Sequence, residues 1–114
     1  MKIGCDIVEV SRIEKLAKNL NRVFTKSEIN YASNYSNPYM HLAGAFAVKE
    51  SIKKALDDEL QDKFRFSSVE LLHQDNGKPY VQFLEELQDD TKKLKIQVTI
   101  SHTETLAMAF VIIE

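Results

Sequence analysis

The chain has 114 residues and a mass of 13.1 kDa, with 44% hydrophobic and 28% charged residues. That length is typical of one domain, and the apolar content excludes disordered and low-complexity classes. A single cysteine excludes a disulfide framework and a zinc-ribbon site, and it indicates the reducing environment of the cytoplasm. No apolar run reaches the roughly 18 residues that a membrane span needs, and none resembles a signal peptide.

The net charge of −2 argues against a nucleic-acid-binding protein, but the charges are unevenly distributed. Residues 1–26 carry six basic and three acidic side chains, so the rest of the chain is acidic. Four of these basic residues recur at steps of three or four and share part of a predicted helix surface: Arg12, Lys15, Lys18 and Arg22. This surface is either a solvated basic face or a docking surface for an acidic partner.

The N-terminal third is predicted to contain a strand followed by two helices. Alternating apolar residues predict a strand over residues 1–10, with Cys5 packed as inert core. Ser11 is placed to cap a helix that runs to about Asn21, and Glu14 completes a capping box. Thr25 and Glu28, three residues apart, repeat that signature and open a second, short helix that ends near residue 32.

A long helix is predicted over residues 39–56, after a polar loop at 33–38. The acidic stretch at 57–63 is expected to fray or to turn. Residues 69–74 and 80–83 read as strands. The Asn-Gly pair at 76–77 favours a type I′ hairpin turn between them, and a short helix is predicted at 84–90.

The C-terminal third has the strongest strand signals. Residues 94–100 alternate between apolar and polar side chains, whereas residues 106–113 are apolar on both sides. The second of these strands therefore lies at the centre of a sheet, under helices or under another subunit. With no repeat or linker, the pattern predicts one α+β domain over residues 1–114, with a mainly antiparallel sheet and helices on one face.

Two charged residues stand at positions where apolar side chains are expected. Asp6 lies within the apolar first strand, where a carboxylate is costly unless it is paired or binds a cation. Three explanations are open: the strand end is hydrated, a Lys or Arg neutralises Asp6, or Asp6 has a function. Lys49 falls inside the core stripe of the long helix, so it must extend to solvent or meet a counter-charge.

The long helix also carries a second stripe, in which Ala43 and Ala47 precede Glu50 and Lys54. Small side chains allow another body to approach closely; the alternative is an exposed face with a Glu50–Lys54 ion pair. His102 ends the buried face of the strand at 94–100, as a hydrogen-bonded structural residue or as a catalyst.

The other two histidines, His41 and His73, are predicted in surface or loop positions, and no histidines show metal-ligand spacing. No phosphate-binding glycine loop and no evident nucleophile occur. A transfer reaction would therefore use the nucleophile of a substrate, with the protein positioning reactants and neutralising charge.

Several segments resemble the small, single-domain holo-acyl-carrier-protein synthases, a family of 4′-phosphopantetheinyl transferases. The resemblance spans nearly the whole chain, with the motifs in the family's order. The matching segments are residues 3–13 (IGCDIVEVSRI), 42–51 (LAGAFAVKES) with Lys54 and Ala55, 76–80 (NGKPY) and 100–102 (ISH).

The resemblance implies a reaction that serves fatty acid and lipid biosynthesis. The phosphopantetheine arm of coenzyme A moves to a serine of apo acyl carrier protein, and adenosine 3′,5′-bisphosphate is released. The resemblance further implies that Asp6 and Glu50 hold Mg²⁺ on the coenzyme A diphosphate. Glu50, Lys54 and His102 are the implied catalytic residues, with Lys54 placed to meet a phosphate oxygen.

The same resemblance implies two protein partners. Acyl carrier proteins are acidic, and in this family they dock on the first helix, which gives the basic residues at 12, 15, 18 and 22 a role. The family also forms homotrimers with active sites between subunits, and the strand at 106–113 is suited to that interface. The alternatives are a non-catalytic trimeric module that binds an acidic protein, and a generic nucleotide–metal binding domain.

Overall fold

A computed structural model describes all 114 residues and contains a three-stranded antiparallel sheet in the order β1-β5-β4. The strands are β1 (Lys2–Glu9), β4 (Ile96–His102) and β5 (Leu106–Ile113). Cys5 of β1 and Thr99 of β4 both lie opposite Phe110 of the central strand β5. This antiparallel sheet, with helices on one face, is the predicted α+β arrangement.

A separate hairpin pairs β2 (Val69–His73) with β3 (Pro79–Phe83). Its turn contains Gly77 at φ 88°, a conformation that glycine adopts without steric cost. The backbone N–H of Lys78 donates to the Asn76 side chain at 3.0 Å, which fixes the turn. The predicted hairpin is confirmed, but Asn76 does not have the positive φ that a type I′ turn requires, so the predicted turn type is wrong. A short helix α5 (Leu87–Asp90) follows the hairpin.

The long helix α3 (Pro38–Ala55) packs across β1 and β5. Ala43 and Ala47 are fully buried, because the sheet covers one side of the helix and the two preceding helical segments cover the other. These small residues pack against other elements of the same chain, so the alternative that they lie on an exposed helix face is wrong. β1 lies so near to α3 that a side chain at Gly4 would collide with the Ser51 carbonyl.

The first helix is shorter than predicted: α1 spans Val10–Glu14. Val10 is buried and its N–H donates to Thr105 at 2.8 Å, so the helix begins before Ser11, and Ser11 is not its cap. After Glu14 the chain continues in three-residue turns, which bring Leu16 and later apolar residues onto the core. The predicted end near Asn21 is therefore wrong, although a 3₁₀ turn spans Leu20–Arg22.

The second helix, α2 (Lys26–Ala32), begins with the predicted capping box. The N–H of Thr25 donates to Glu28 Oε1 at 2.8 Å, and the N–H of Glu28 donates to Thr25 Oγ1 at 3.2 Å. The acidic stretch near residue 60 forms a helix, α4 (Asp58–Lys63), instead of fraying. Acidic residues in its first turn and a lysine in its last complement the helix dipole.

The two faces of the three-stranded sheet differ in exposure. The face toward α3 forms the core, whereas the outer face leaves large apolar side chains in solvent, with Ile7 61% and Phe110 37% exposed. Cys5 lies on this outer face and is exposed, so its prediction as core is wrong. The pairing of β1 with β5 aligns the apolar residues of the outer face: Ile3, Ile7, Leu106, Met108, Phe110 and Ile112.

None of the helices is both long enough and apolar enough to cross a membrane.

Candidate active site

Asp6 and Lys54 are in direct contact across the β1–α3 interface. Lys54 Nζ donates to Asp6 Oδ1 at 3.0 Å and to the Cys5 carbonyl at 3.1 Å. The Asp6 side chain is 17% exposed and that of Lys54 is 54% exposed, so the pair lies at the solvent boundary. A lysine therefore neutralises Asp6, one of the alternatives raised by the sequence, while the carboxylate keeps access to solvent.

Glu50 stands one helical turn before Lys54 and is partly exposed, with no ion pair or side-chain hydrogen bond. The expected Glu50–Lys54 pair is absent, because Lys54 reaches across to β1 instead. No three His, Cys, Asp or Glu side chains gather into a metal site. Two carboxylates at a solvent boundary nevertheless fit Mg²⁺, which takes one or two protein carboxylates and keeps water and phosphate oxygens as its other ligands.

Lys49 meets a counter-charge inside the core, which is one of the two arrangements predicted for it. Its Nζ lies 3.0 Å from Glu28 Oε1 and donates to the carbonyls of Phe66, at 2.7 Å, and Val69. Glu28 Oε2 in turn accepts from the N–H of Leu71 at 2.8 Å. Burial lowers the pKa of Lys49, and the Glu28 carboxylate opposes that shift. The pair ties α2, α3 and the hairpin together.

His102 lies at the end of β4 and lines a cavity of about 250 Å³ that α2, α3 and the hairpin also border. Its ring centroid is 6.0 Å from that of His41, in an edge-to-face arrangement. His73, at the end of β2, lines the same cavity, so all three histidines of the chain are found there. His41 and His73, which were predicted in surface or loop positions, are both partly buried.

Two tyrosines fix the positions of these rings. Tyr31 stacks on His73 with a centroid separation of 4.0 Å, and Tyr35 stacks on His41 at 3.7 Å. The phenol oxygens of Tyr31 and Tyr35 are 2.9 Å apart; this hydrogen bond and burial raise the pKa of Tyr31 to about 12. Tyr35 lies in a bend beyond the end of α2, so helical spacing in the sequence does not signal this cluster.

The predicted catalytic residues therefore occupy two regions of the protomer. We call the first the carboxylate site, formed by Asp6, Glu50 and Lys54, and the second the histidine pocket, formed around His102. His41, which contacts His102, precedes Glu50 by nine residues on α3, a rise of about 14 Å along the helix axis. The carboxylate site and the histidine pocket are thus separate within one chain.

The basic residues of the N-terminal segment are all exposed but do not share one helix. Arg12 lies in α1, with its guanidinium 5.0 Å from the centre of the Phe46 ring, whereas Lys15 caps the end of α1. Lys18 follows in a turn and Arg22 ends the 3₁₀ segment. Because the helix ends early, the prediction of one continuous helical surface is wrong.

Comparison with known proteins identifies the family. The model of the 4′-phosphopantetheinyl transferase superfamily matches residues 2–111. A holo-[acyl-carrier-protein] synthase from Protochlamydia amoebophila is 41% identical over 96% of this chain and 94% of the relative.

Solved structures extend the similarity to three dimensions. The holo-(acyl-carrier-protein) synthase of Bacillus anthracis, in complex with CoA (3′,5′-ADP), superposes with a TM-score of 0.81 at 32% identity. The alignment covers 98% of this chain and 94% of that one. The Helicobacter pylori synthase, in complex with coenzyme A, gives a TM-score of 0.82 at 28% identity, with coverages of 98% and 99%.

The chain belongs to the 4′-phosphopantetheinyl transferase superfamily, and its relatives of similar length are holo-acyl-carrier-protein synthases. The predictions of the family, of the α+β fold and of a phosphopantetheinyl transferase enzyme are confirmed. A non-catalytic binding module and a generic nucleotide–metal domain are correspondingly disfavoured, because both alternatives lack a transfer reaction.

Proposed function

We propose that residues 1–114 form one transferase domain that moves the 4′-phosphopantetheine arm of coenzyme A to a serine of apo acyl carrier protein. We further propose that this reaction occurs in the cytoplasm and is a Mg²⁺-dependent step of fatty acid and lipid biosynthesis. The carrier serine oxygen bonds to the attacked phosphorus while the bond from that phosphorus to the bridging diphosphate oxygen breaks. Adenosine 3′,5′-bisphosphate then leaves. The observation that supports this proposal most is the contact of Lys54 with Asp6 beside the unpaired Glu50.

The carboxylate site supplies charged groups for the diphosphate. Asp6 and Glu50 would hold Mg²⁺, which when bound neutralises diphosphate charge and polarises the attacked phosphorus. Lys54 fixes the position of the Asp6 carboxylate at 3.0 Å, and its half-exposed ammonium can also meet a phosphate oxygen. Phosphoryl-type transfer depends mainly on such positioning and charge stabilisation, so the chain needs no nucleophile of its own.

The proton of the carrier serine must leave during the transfer. The Glu50 side chain makes no hydrogen bond within the chain and is partly exposed, so its carboxylate is available to accept that proton. His102 is the third proposed catalytic residue, and it lies in the histidine pocket, where its ring contacts that of His41. Within one protomer His102 lies apart from the carboxylate site. This separation is one reason to propose that the active site is shared between subunits.

We propose a homotrimer whose active sites lie between subunits. The outer face of the three-stranded sheet exposes aligned apolar side chains from β1 and β5, the kind of patch that marks a protein–protein interface. A cyclic arrangement buries this face and brings the histidine pocket of one subunit toward the carboxylate site of the next. This proposal keeps the predicted role of residues 106–113 in the interface. Phe110 lies on the outer face of the sheet, which the trimer would bury.

Acyl carrier protein would dock on the segment that carries Arg12, Lys15, Lys18 and Arg22. These side chains are exposed and positively charged in an otherwise acidic chain, so they attract an acidic partner and orient it. Arg12 also packs on the Phe46 ring, which links the docking segment to α3. The segment follows directly after β1, the strand that carries Asp6.

The direct experiment incubates the purified protein with coenzyme A, Mg²⁺ and apo acyl carrier protein and determines the mass of the carrier. The proposal predicts the gain of one phosphopantetheine arm, and no gain when a chelator removes Mg²⁺. A known transferase runs in parallel to show that the carrier is competent. An unmodified carrier in the presence of the chain, with modification by the known enzyme, contradicts the proposal.

A further inference from the structure

The strand β1 and the helix α3 approach each other very closely beside the carboxylate site. Gly4 is buried on the face of β1 that packs against α3. Ser51 and Ala55 of α3 lie opposite Gly4. In the sequence these two residues directly follow Glu50 and Lys54, which α3 supplies to the carboxylate site. The close contact between strand and helix therefore adjoins that site.

No side chain fits at position 4 without a movement of the backbone. A Cβ at Gly4 would overlap the carbonyl oxygen of Ser51 and would lie 2.8 Å from its carbonyl carbon. It would also lie 3.3 Å from the Cβ of Ala55. Because non-bonded carbon atoms rest about 3.5–4.0 Å apart, even one added methyl group requires the strand and the helix to separate by about 1 Å.

The glycine at position 4 serves this close approach and not a special backbone conformation. Gly4 does not adopt a positive φ, so its conformational freedom is not needed here. The elements on both sides are anchored: Gly4 lies opposite Val111 in the pairing of β1 with β5, and the buried Lys49–Glu28 ion pair holds α3. An added side chain would therefore strain the contact between β1 and α3 itself.

The contacts of Lys54 depend on this short distance. Its Nζ donates to the Cys5 carbonyl at 3.1 Å and to Asp6 Oδ1 at 3.0 Å, and both acceptors lie within two residues of Gly4. A separation of about 1 Å takes both contacts beyond hydrogen-bond distance. It also moves Glu50 away from Asp6, although reacting groups must stay within about 0.5 Å of their productive positions.

We propose that Gly4 is a positioning residue of the carboxylate site. Its lack of a side chain sets the distance at which Asp6 of β1 faces Glu50 and Lys54 of α3. This inference rests on the proposed function, in which Asp6 and Glu50 hold a divalent cation. It assigns the spacing of these two carboxylates to a residue that contacts neither the cation nor a substrate.

The test uses Mn²⁺ as a paramagnetic substitute for Mg²⁺, because Mn²⁺ broadens the NMR signals of nearby amides. In the wild-type chain the amide signals of Asp6 and Glu50 should broaden at the same Mn²⁺ concentration. In G4A the concentration that halves these signals should rise by at least about tenfold. L87A removes a buried side chain of α5, so it lowers stability without changing the β1–α3 distance. This control should keep the wild-type Mn²⁺ affinity.

A longer carboxylate at position 6 separates spacing from stability. D6E adds one methylene group, which misplaces the carboxylate in the wild-type chain but bridges part of the wider gap in G4A. We therefore expect D6E to weaken Mn²⁺ binding in the wild-type background and to strengthen it in the G4A background. A loss of stability alone does not produce opposite signs. The same sign in both backgrounds contradicts the role of Gly4.

A second variant, A55V, enlarges the opposite side of the contact and keeps Gly4, so the inference remains testable if G4A does not fold. It should also weaken Mn²⁺ binding, and in transfer assays either variant should lower kcat by about a hundredfold with a smaller change in the KM for coenzyme A. Wild-type Mn²⁺ affinity in A55V, or in folded G4A, overturns this inference alone. A wild-type chain whose signals at positions 6 and 50 are unaffected by Mn²⁺ overturns the metal assignment as well.

Discussion

The two ends of α3 carry different chemistry. Near its C-terminal end, Glu50 and Lys54 stand at the solvent boundary beside Asp6, in an arrangement of fixed charges. Near its N-terminal end, His41 borders a pocket that is lined by imidazole and phenol rings. One helix thus supports both the carboxylate site and the histidine pocket, and it holds them apart. In the proposed trimer, the carboxylate site of one subunit would meet the histidine pocket of another.

The largest effect is expected from removing a carboxylate at the C-terminal end. D6N and E50Q should each lower the transfer rate by about a thousandfold or more, because charge stabilisation by a bound metal is worth several kcal/mol. Initial rates of carrier modification measure the loss. D62N removes an exposed carboxylate on α4 and should retain wild-type activity. A near-normal rate for D6N or E50Q would show that the metal assignment is wrong.

Lys49 directly precedes Glu50 on α3, and its replacement tests the buried ion pair that ties α3 to α2 and the hairpin. K49M leaves the buried Glu28 carboxylate without its counter-charge, so the free energy of unfolding should fall by about 3–5 kcal/mol. Urea denaturation measures this change. K53M, at an exposed position of the same helix, should cost less than about 1 kcal/mol. A similarly small loss for K49M would contradict a stabilising role for the pair.

The separation of the two sites is also tested at the outer face of the sheet. F110E places a charge in the proposed interface, which should convert the trimer into 13.1 kDa monomers and lower activity by about a hundredfold. Light scattering coupled to size exclusion gives the mass. Y80E changes a similarly exposed aromatic on the hairpin and should leave the trimer intact. A trimeric F110E protein would exclude this face as the interface.

A smaller effect is expected at the docking segment. The double variant K15E/K18E should raise the KM for carrier protein by about tenfold with little change in kcat, since charges at the edge of an interface mainly affect association. The difference from the wild type should shrink as salt is added. K92E/K93E reverses charge at a distant exposed site and is the matched control. Equal KM values for the two double variants would contradict docking at this segment.

Sequence patterns predicted the sheet and α3 because their signals are local. The alternation in β4 and the Thr25–Glu28 capping box each depend on neighbouring residues only. Ser11 has the same local signature, yet Val10 is held by a hydrogen bond to Thr105, which is distant in sequence. Cys5 lies on an apolar side of β1, but apolarity alone does not indicate whether helices or another subunit cover that side.

The candidate site was only partly predictable for the same reason. Asp6 attracted attention as a charge within an apolar strand, and its partner Lys54 was already a candidate. His41 and His73 showed no motif, because their proximity arises from the packing of the hairpin against α3. Nothing in the sequence places 41, 73 and 102 together, whereas the folded chain brings all three to one cavity.

The central claim is that a complete active site combines the carboxylate site of one subunit with the histidine pocket of another. The decisive measurement mixes equal amounts of E50Q and H102A protomers under conditions that allow subunit exchange and then determines the transfer rate. Neither variant alone should be active. Random assembly of a cyclic trimer leaves about one quarter of the shared sites with both native residues, so the account predicts about one quarter of wild-type activity. Activity no higher than that of the separate variants would contradict it.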